Sequence, residues 1–168
     1  MSSSIVLDKL FSSDTCVVYR GRSLVVLAWH AQPTVVAVGP VIQAAFAVLK
    51  GNAEDMLLCA LIDTETPMPD SAAREALQAG IRRLGKLRGV VNVILGTGFR
   101  AAAVRGMLSG FSMVVRPRYP LSFVASEAEA ASFLVANWPE GDSPPPSKID
   151  VARALTAVKP VYVGQKSA

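Results

Sequence analysis

Three acidic residues and a serine lie close together where an apolar run of the sequence ends. Asp63 and Glu65 follow that run directly, and Asp70 and Ser71 come after two prolines, just before a helical pattern. Carboxylates at this spacing can hold a metal ion, although solvated acids are commoner in turns. The pair Asp70-Ser71 admits three roles, namely a phosphorylation switch, an anion site or an ordinary helix cap. We expect the cap, which needs no further function.

A glycine-rich turn is the second motif with possible chemistry. Residues 96–101, GTGFRA, fit the G-x-G-x-x-G/A pattern of dinucleotide-binding proteins and lie between an apolar run and a helical pattern. The motif comes late in the chain, and no acidic residue about 20 positions further on clearly ends a second strand. A tight turn at a helix start is the simpler interpretation. The alternative is an anion or nucleotide site formed by Gly96, Thr97, Gly98 and Arg100.

The other reactive residue types do not form a recognisable site. Cys16 and Cys59 each lie in an apolar run, which indicates buried thiols rather than a disulfide. His30 has no Cys, Asp or Glu within ten residues on either side, so it lacks a ligand set. No Ser-His-Asp or Cys-His arrangement is evident from spacing. We therefore expect no catalysis, no metal and no cofactor.

Composition and charge exclude several classes of protein. The 168-residue chain is 51% hydrophobic and 18% charged, which is typical of one core-forming domain. Its net charge of +4 is mild, and few aromatic residues accompany the basic ones, so we expect no nucleic-acid partner. The N-terminus lacks a signal-peptide pattern, and Pro33 and Pro40 interrupt the uncharged stretch 23–49. We expect a cytoplasmic protein without a membrane span.

Alternating elements position the acidic turn and the glycine turn. Residues 16–20 and 24–29 are rich in β-branched residues around a Gly-Arg-Ser turn, which predicts an N-terminal hairpin. Strand and helix patterns alternate after it, and this predicts an α/β fold with a mainly parallel sheet and helices packed on it. The later predicted strands cover residues 56–62, 90–95 and 121–125, and the predicted helices cover about 34–49, 71–88, 99–110 and 126–138.

The predicted domain organisation has four parts. Residues 1–14 are a lead-in, 15–140 form the α/β domain, 141–148 form a Pro/Ser-rich linker, and 149–168 form a short helix and tail. We expect the tail to be dispensable for folding, although it can instead dock as an arm. The predicted core is Val25, Leu27, Leu58, Ala60, Ile62, Val93 and Leu95, with Leu77, Ile81, Phe46 and Phe133 packed on it.

With its elements in this order, the chain resembles the STAS domain, named for sulfate transporters and anti-sigma-factor antagonists, and in particular its divergent SpoIIAA-like bacterial branch. The resemblance covers about residues 15–138 and rests on element order and on the segments LIDTETPMPDSAA and VVNVILGTGF. In phosphoregulated members, the helix after the first turn opens with Asp-Ser, then Ser or Thr, then Gly-Leu. A partner kinase phosphorylates the serine, which breaks kinase binding. Asp70 and Ser71 match that opening, whereas Ala72, Ala73 and Arg74 replace the rest.

The resemblance implies a non-catalytic regulatory or protein-interaction module of bacterial signalling. Its partner-binding or switch residues would be Asp63, Glu65, Asp70, Ser71, Arg74 and Gln78. Two other functions stay open: a small-ligand or nucleotide-binding protein that uses the turn 96–100, and a self-assembling structural subunit. For the last, a homo-oligomer would form through helix 35–49 or the C-terminal tail.

Overall fold

The computed structural model describes residues 4–49, 55–83, 87–99, 101–106 and 118–162. Six strands within these ranges form one sheet, and they are ordered in the sheet as they are along the chain. The bounds are β1 Asp8–Ser12, β2 Cys16–Gly21, β3 Leu24–Trp29, β4 Leu57–Ile62, β5 Gly89–Ile94 and β6 Leu121–Val124. The first three strands pair antiparallel, and β3 to β6 pair parallel. The predicted hairpin and α/β class are confirmed, and the sheet is mixed.

The first strand lies inside the segment that the sequence predicts to be a lead-in. Strand β1 pairs with β2 from Asp8 opposite Arg20 to Ser12 opposite Val17, with a register shift between Lys9 and Phe11. Four of its five side chains are exposed, so its sequence lacks the alternation that marks a half-buried strand. The sheet therefore begins earlier than the predicted boundary at residue 15. Edge strands with charges and a bulge resist pairing with other chains.

The longer helices within the described ranges are α1 Val35–Leu49, α2 Ser71–Arg83, α3 Glu127–Ala136 and α4 Lys148–Ala157. Residues 101–106 are also helical. The predicted helix 71–88 is shorter in the structure, because residues 87 and 88 are not helical. Residues 84–86, and residues 107–110 of the predicted helix 99–110, lie outside the described residues. The expected capping box at α3 forms, because the Glu129 backbone N–H donates to the Ser126 hydroxyl at 3.3 Å and the Glu129 carboxylate accepts from the Ala125 N–H at 3.1 Å.

Helices cover both faces of the sheet. On one face, Val25 and Leu58 pack with residues of α1 and α2 such as Val38. On the other face, Val26 packs with residues of α3 and α4 such as Leu134. Strand β3 is buried along its whole length, as expected of a central strand covered on both sides. The predicted core is confirmed, with Ile62, Leu77, Ile81, Phe46 and Phe133 partly buried at its margins.

The Pro/Ser-rich segment after α3 is tied to the turn between β2 and β3. The Asp142 carboxylate accepts hydrogen bonds from the Arg22 guanidinium at 2.9 Å and from the Ser23 hydroxyl at 2.8 Å. The Trp138 indole N–H donates to the Asp142 carbonyl at 3.0 Å, and the Arg22 guanidinium lies over the Trp138 ring. Arg22, which is 120 positions earlier in the sequence, thus anchors the predicted linker. The Pro/Ser-rich composition of this segment does not reveal that contact.

The helix after that segment belongs to the core. Val151 and Leu155 of α4 are fully buried in the same cluster as Leu134 of α3. The Ser147 hydroxyl caps α4 by accepting from the Asp150 N–H at 3.1 Å. The short helix predicted in the tail is therefore present, and its buried face argues against the expectation that it is dispensable, which denaturation of variants has to test. The alternative of a docked arm fits the packing better.

Candidate functional site

The three loops that follow β3, β4 and β5 lie at the same end of the sheet. These strands are parallel and in register, with Trp29 opposite Ile62 and Ile62 opposite Ile94. The side-chain amide of Gln32 in the first loop donates to the Met68 carbonyl in the second at 2.9 Å. We name the loops 30–34, 63–70 and 95–98, together with the residues that start the following helices, the carboxyl edge. Ligands of open α/β sheets bind at this end of the strands.

Asp63 organises its own turn rather than a metal site. Its carboxylate accepts the Glu65 backbone N–H at 2.8 Å, and its carbonyl accepts the Thr66 N–H at 3.0 Å. This arrangement is an Asx turn, in which the side chain replaces a backbone partner. Within the described ranges, no group of three or more His, Cys, Asp or Glu side chains is placed to hold a metal ion.

The helix cap of α2 is made by Asp70, not by Ser71. The Asp70 carboxylate accepts the Ala73 backbone N–H at 2.8 Å, and the Asp70 carbonyl accepts the Arg74 N–H at 2.9 Å. Ser71 is the first helical residue and is exposed. Arg74 and Gln78 are exposed further along the same helix, and Gln78 accepts a hydrogen bond from Arg82 at 3.3 Å. Of the predicted pair, Asp70 is therefore the capping residue, and Ser71 has an accessible hydroxyl.

The glycine turn approaches the Asp63 turn closely. Gly96 and Gly98 have positive φ angles of 116° and 104°, a region that glycine adopts without strain. A Cβ atom on Gly96 would clash with the Thr64 side chain, so a larger residue would require Thr64 to move. The Arg105 guanidinium donates to the Ile94 carbonyl at 3.1 Å and fastens the helical residues to the end of β5. Thr97 is exposed, and Arg100 lies outside the described residues.

A small cavity of about 40 Å³ lies between these two turns. One residue of its wall, Thr66, is only 6% exposed, and its hydroxyl oxygen has no hydrogen-bond partner in the part of the chain that the structure describes. The sequence does not indicate a role for Thr66, because a threonine among acidic residues in a turn is expected to be solvated. The lining residues are Ile62, Asp63, Thr64, Thr66, Met68, Ile94, Ala101 and Val104.

Exposed apolar side chains flank the same loops. Phe99, directly after the glycine turn, is 89% exposed, and Val36, in the first turn of α1, is 82% exposed. Neighbouring Val35 is also exposed. The sequence patterns give no signal for these exposures, since Phe99 and both valines lie in segments that read as the starts of buried helices.

Neither cysteine offers a nucleophile for chemistry at this edge. Burial raises the pKa of the Cys16 thiol, and burial together with the charge of Glu127 raises the pKa of the Cys59 thiol. Reactive cysteines instead have lowered pKa values and partial exposure. Both thiols therefore behave as small apolar core residues, as the sequence predicts.

Comparisons with known proteins leave the family open: no family model, curated protein or solved structure matches the chain. Among the described residues, no helix is long and apolar enough to cross a membrane. The carboxyl edge therefore has to be interpreted from its own geometry, which combines an acidic turn, an accessible serine, a small cavity and exposed apolar side chains.

Proposed function

We propose that this chain is a non-catalytic interaction module of the STAS type and that it binds a protein partner through the carboxyl edge. The observation that carries the proposal is the exposure of Phe99 and Val36 beside the Asp63 turn. Protein interfaces centre on aromatic and aliphatic anchors inside a polar rim. Here the apolar pair would supply anchors, and Asp63, Glu65 and Arg74 would supply part of the rim.

The magnitude of apolar burial makes Phe99 the most informative of these residues. Fully burying a side chain of its class contributes about 1.5–3 kcal/mol, whereas an exposed rim charge contributes about 0–1 kcal/mol. Most large apolar side chains are buried on the two faces of the sheet, and among the exposed ones in the described residues, which include Val6 and Ile149, Phe99 is the most exposed and the one aromatic residue. A phenylalanine left in solvent at the edge where ligands bind is therefore best explained by a partner that covers it.

Ser71 is the candidate site of regulation in the proposed module. Its hydroxyl is exposed at the start of α2, while Asp70 already caps the helix. A phosphate there would suit the helix dipole, yet it would add negative charge beside Asp70 on a face that a partner covers. We expect Ser71→Ala to leave partner affinity unchanged within about threefold, whereas Ser71→Asp should weaken it tenfold if the residue is a switch.

The nucleotide-binding alternative receives less support from the cavity. Sites for drug-sized ligands and cofactors have volumes of about 300–1,000 Å³, whereas the cavity at this edge measures about 40 Å³. Strand β6 ends at Val124 and is followed by Ala125 and Ser126, so no carboxylate stands where a ribose would be bound. In the proposed function, the glycine turn therefore serves as a tight connection between β5 and the helical residues 101–106.

The self-assembly alternative also receives less support, because α1 uses its apolar face within the chain. Val38, Val41, Ile42 and Ala45 are buried in the core cluster beneath that helix. Helix α4 likewise uses its apolar face within the chain, with Val151 and Leu155 buried in the second core cluster. Among the described side chains of α1, the large apolar ones that are exposed are Val35 and Val36, which lie in its first turn and belong to the carboxyl edge.

A comparative capture experiment tests the proposal. Wild type, the edge variant Val36→Ser/Phe99→Ser and the control Val6→Ser/Ile149→Ser would be immobilised and incubated with lysate of the source organism. The control removes similarly exposed apolar side chains, 68% and 70%, at the opposite end of the sheet near the turn between β2 and β3. We expect one protein retained by wild type and control and lost by the edge variant. Identical retention by all three chains would overturn the proposal.

A further inference from the structure

We propose that the protein binds the phosphate backbone of double-stranded nucleic acid through a group of arginines at the end of the sheet opposite the carboxyl edge. All of these arginines are exposed, and we name them the basic corner: Arg82, Arg83, Arg88 and Arg118. The basic corner shares no residue with the carboxyl edge. The proposal therefore stands or fails independently of the proposed function.

Two of the arginines lie at the starts of neighbouring strands. Arg88 comes directly before β5 and Arg118 shortly before β6, and these two strands pair in parallel. The Val90 N–H donates to the Pro120 carbonyl at 2.8 Å, so the segments that hold the two arginines are adjacent. Neither arginine is helical. The dipole of a helix therefore does not account for their positions.

Helix α2 brings the other two arginines to the same end of the sheet. The helix begins at the carboxyl edge and ends with Arg82 and Arg83. Burial raises the pKa of the Tyr119 hydroxyl, and the charge of Arg82 opposes that rise, so Arg82 lies close to the residue that follows Arg118. The guanidinium carbon of Arg83 lies 5.3 Å from the centroid of the Phe46 ring. The fold thus gathers charges that are apart in the sequence.

The charge of the basic corner is mostly left unneutralised. None of the salt bridges within the described ranges involves one of its arginines. Asp55 offsets one of these charges, because it directly precedes Met56, whose carbonyl accepts the Arg88 N–H at 3.0 Å. A basic patch on one part of a protein is the electrostatic signature of nucleic-acid binding, and guanidinium groups form paired hydrogen bonds with phosphate. The net charge of +4, from which we expect no nucleic-acid partner, averages over the whole chain and hides this patch.

The surroundings of the basic corner favour a phosphate backbone over a protein or a membrane. The exposed large apolar side chains of the described residues lie in other segments of the chain. Protein interfaces centre on such anchors, and stable membrane attachment needs an inserted group besides basic charge, whereas phosphate contacts alone hold nucleic acid without sequence preference. Phe46 and Tyr119 are partly buried against the core, so their rings are not free to stack on the bases of a single strand. The duplex is therefore the favoured ligand.

Fluorescence anisotropy of short labelled duplexes tests the proposal with the full chain. Four phosphate contacts predict a slope of about −3.6 for the logarithm of the binding constant against the logarithm of the salt concentration. We expect saturable binding at about 50 mM salt that is about 100-fold weaker at about 200 mM salt. Parallel titrations of duplex DNA and duplex RNA of the same sequence distinguish the two sources of this backbone.

Three outcomes of these titrations would overturn the proposal. The first is the absence of saturable binding to both duplexes at the lower salt concentration. The second is binding to phosphatidylserine vesicles without binding to either duplex, which would assign the basic corner to a membrane surface. The third is tighter binding of the single strand than of the duplex, which would require exposed stacking rings.

Charge-matched variants place the binding at the basic corner. The corner variant Arg82→Gln/Arg118→Gln and the control Lys9→Gln/Arg153→Gln each remove two exposed positive charges, and the control residues lie on β1 and α4. The corner variant should reduce the magnitude of the slope by about 1.8, whereas the control should leave it unchanged. Surface substitutions rarely unfold a domain, and thermal melts of both variants check this. An equal slope in wild type and the corner variant, or an equal reduction in both variants, would overturn the basic corner as the binding site.

Discussion

At the start of α2, two adjacent residues have separate roles. Asp70 lies just before the helix, where its carboxylate can accept the backbone N–H three residues later, as it does from Ala73. Ser71 has helical geometry and is exposed, so its hydroxyl faces solvent. A single residue satisfies the capping requirement, and the next one is left available for recognition or modification.

Substitution of the two residues should separate these roles. Asp70→Ala should lower the free energy of unfolding by about 1 kcal/mol, because an N–H at the helix start loses its acceptor. Ser71→Ala should change it by less than about 0.5 kcal/mol, as for other surface positions. Urea denaturation of both variants measures the difference. A larger loss for Ser71→Ala than for Asp70→Ala would show that the serine is the cap.

Asp142 should make stability depend on acidity. Partial burial raises the pKa of its carboxyl, but hydrogen bonds from Arg22 and Ser23 and the charge of Arg22 outweigh burial, so the pKa lies below its ordinary value. A lowered folded-state pKa stabilises the protein above the unfolded-state value of about 3.9, and this contribution is lost as the pH falls through the folded-state pKa.

The matching experiment compares wild type with Asp142→Asn by chemical denaturation between pH 3 and pH 8. We expect the variant to be less stable by a constant amount at neutral pH, with the difference shrinking below about pH 4. A difference that stays constant down to pH 3 would mean that the Asp142 contacts with Arg22 and Ser23 do not persist in solution.

At the scale of elements, α2 lies unusually close to α1. Gly80 of α2 faces Ile42 of α1, and a Cβ atom on Gly80 would lie 2.7, 2.9 and 3.0 Å from three atoms of the Ile42 side chain. Glycine within a helix costs about 1 kcal/mol relative to alanine. Its presence here is explained by the close approach of the two helices.

Gly80→Ala should therefore destabilise the protein although alanine favours helices. The clash with Ile42 should outweigh the gain in helix propensity and lower the free energy of unfolding by about 1–3 kcal/mol. In the background of Ile42→Ala, which removes the clashing atoms, the same substitution should be neutral or stabilising. The double-mutant cycle measures this coupling. Equal effects in both backgrounds would contradict the close packing.

Helix α4 provides the other test at this scale. Leu155 is fully buried on the sheet, whereas Ile149 on the same helix is 70% exposed. Leu155→Ala should cost about 2–5 kcal/mol through loss of burial and cavity formation, while Ile149→Ala should cost less than about 0.5 kcal/mol. Chemical denaturation gives both values. Equal, small losses would restore the view that residues after 141 are a dispensable tail.

Local patterns predict the elements whose burial is periodic or complete. The apolar run 57–62 and the spacing of Val38, Val41 and Ile42 are such cases, and the structure confirms both. Strand β1 was not predicted, because its side chains are mostly exposed and give no pattern of burial. The sequence offers the docking of α4 only as an alternative, because its burial depends on contacts with α3 and the sheet that no local pattern reveals.

At the scale of the whole molecule, the candidate binding surface lies at one end of the sheet, the carboxyl edge. Helices cover both faces of the sheet, and a bulged, charged strand protects one of its lateral edges. The joint position of the Asp63 and Gly96 turns follows from parallel strands and was predictable from sequence. The exposure of Phe99 and the unpaired hydroxyl of Thr66 were not, because both depend on contacts between distant segments.

The affinity of the captured partner for single variants tests the central claim most directly. Isothermal titration calorimetry would compare wild type with Phe99→Ser at the carboxyl edge and Ile149→Ser on α4. We predict at least a tenfold loss for Phe99→Ser, or about 1.4 kcal/mol, and a change below about threefold for Ile149→Ser. An affinity for Phe99→Ser equal to that of wild type would contradict partner binding at this edge.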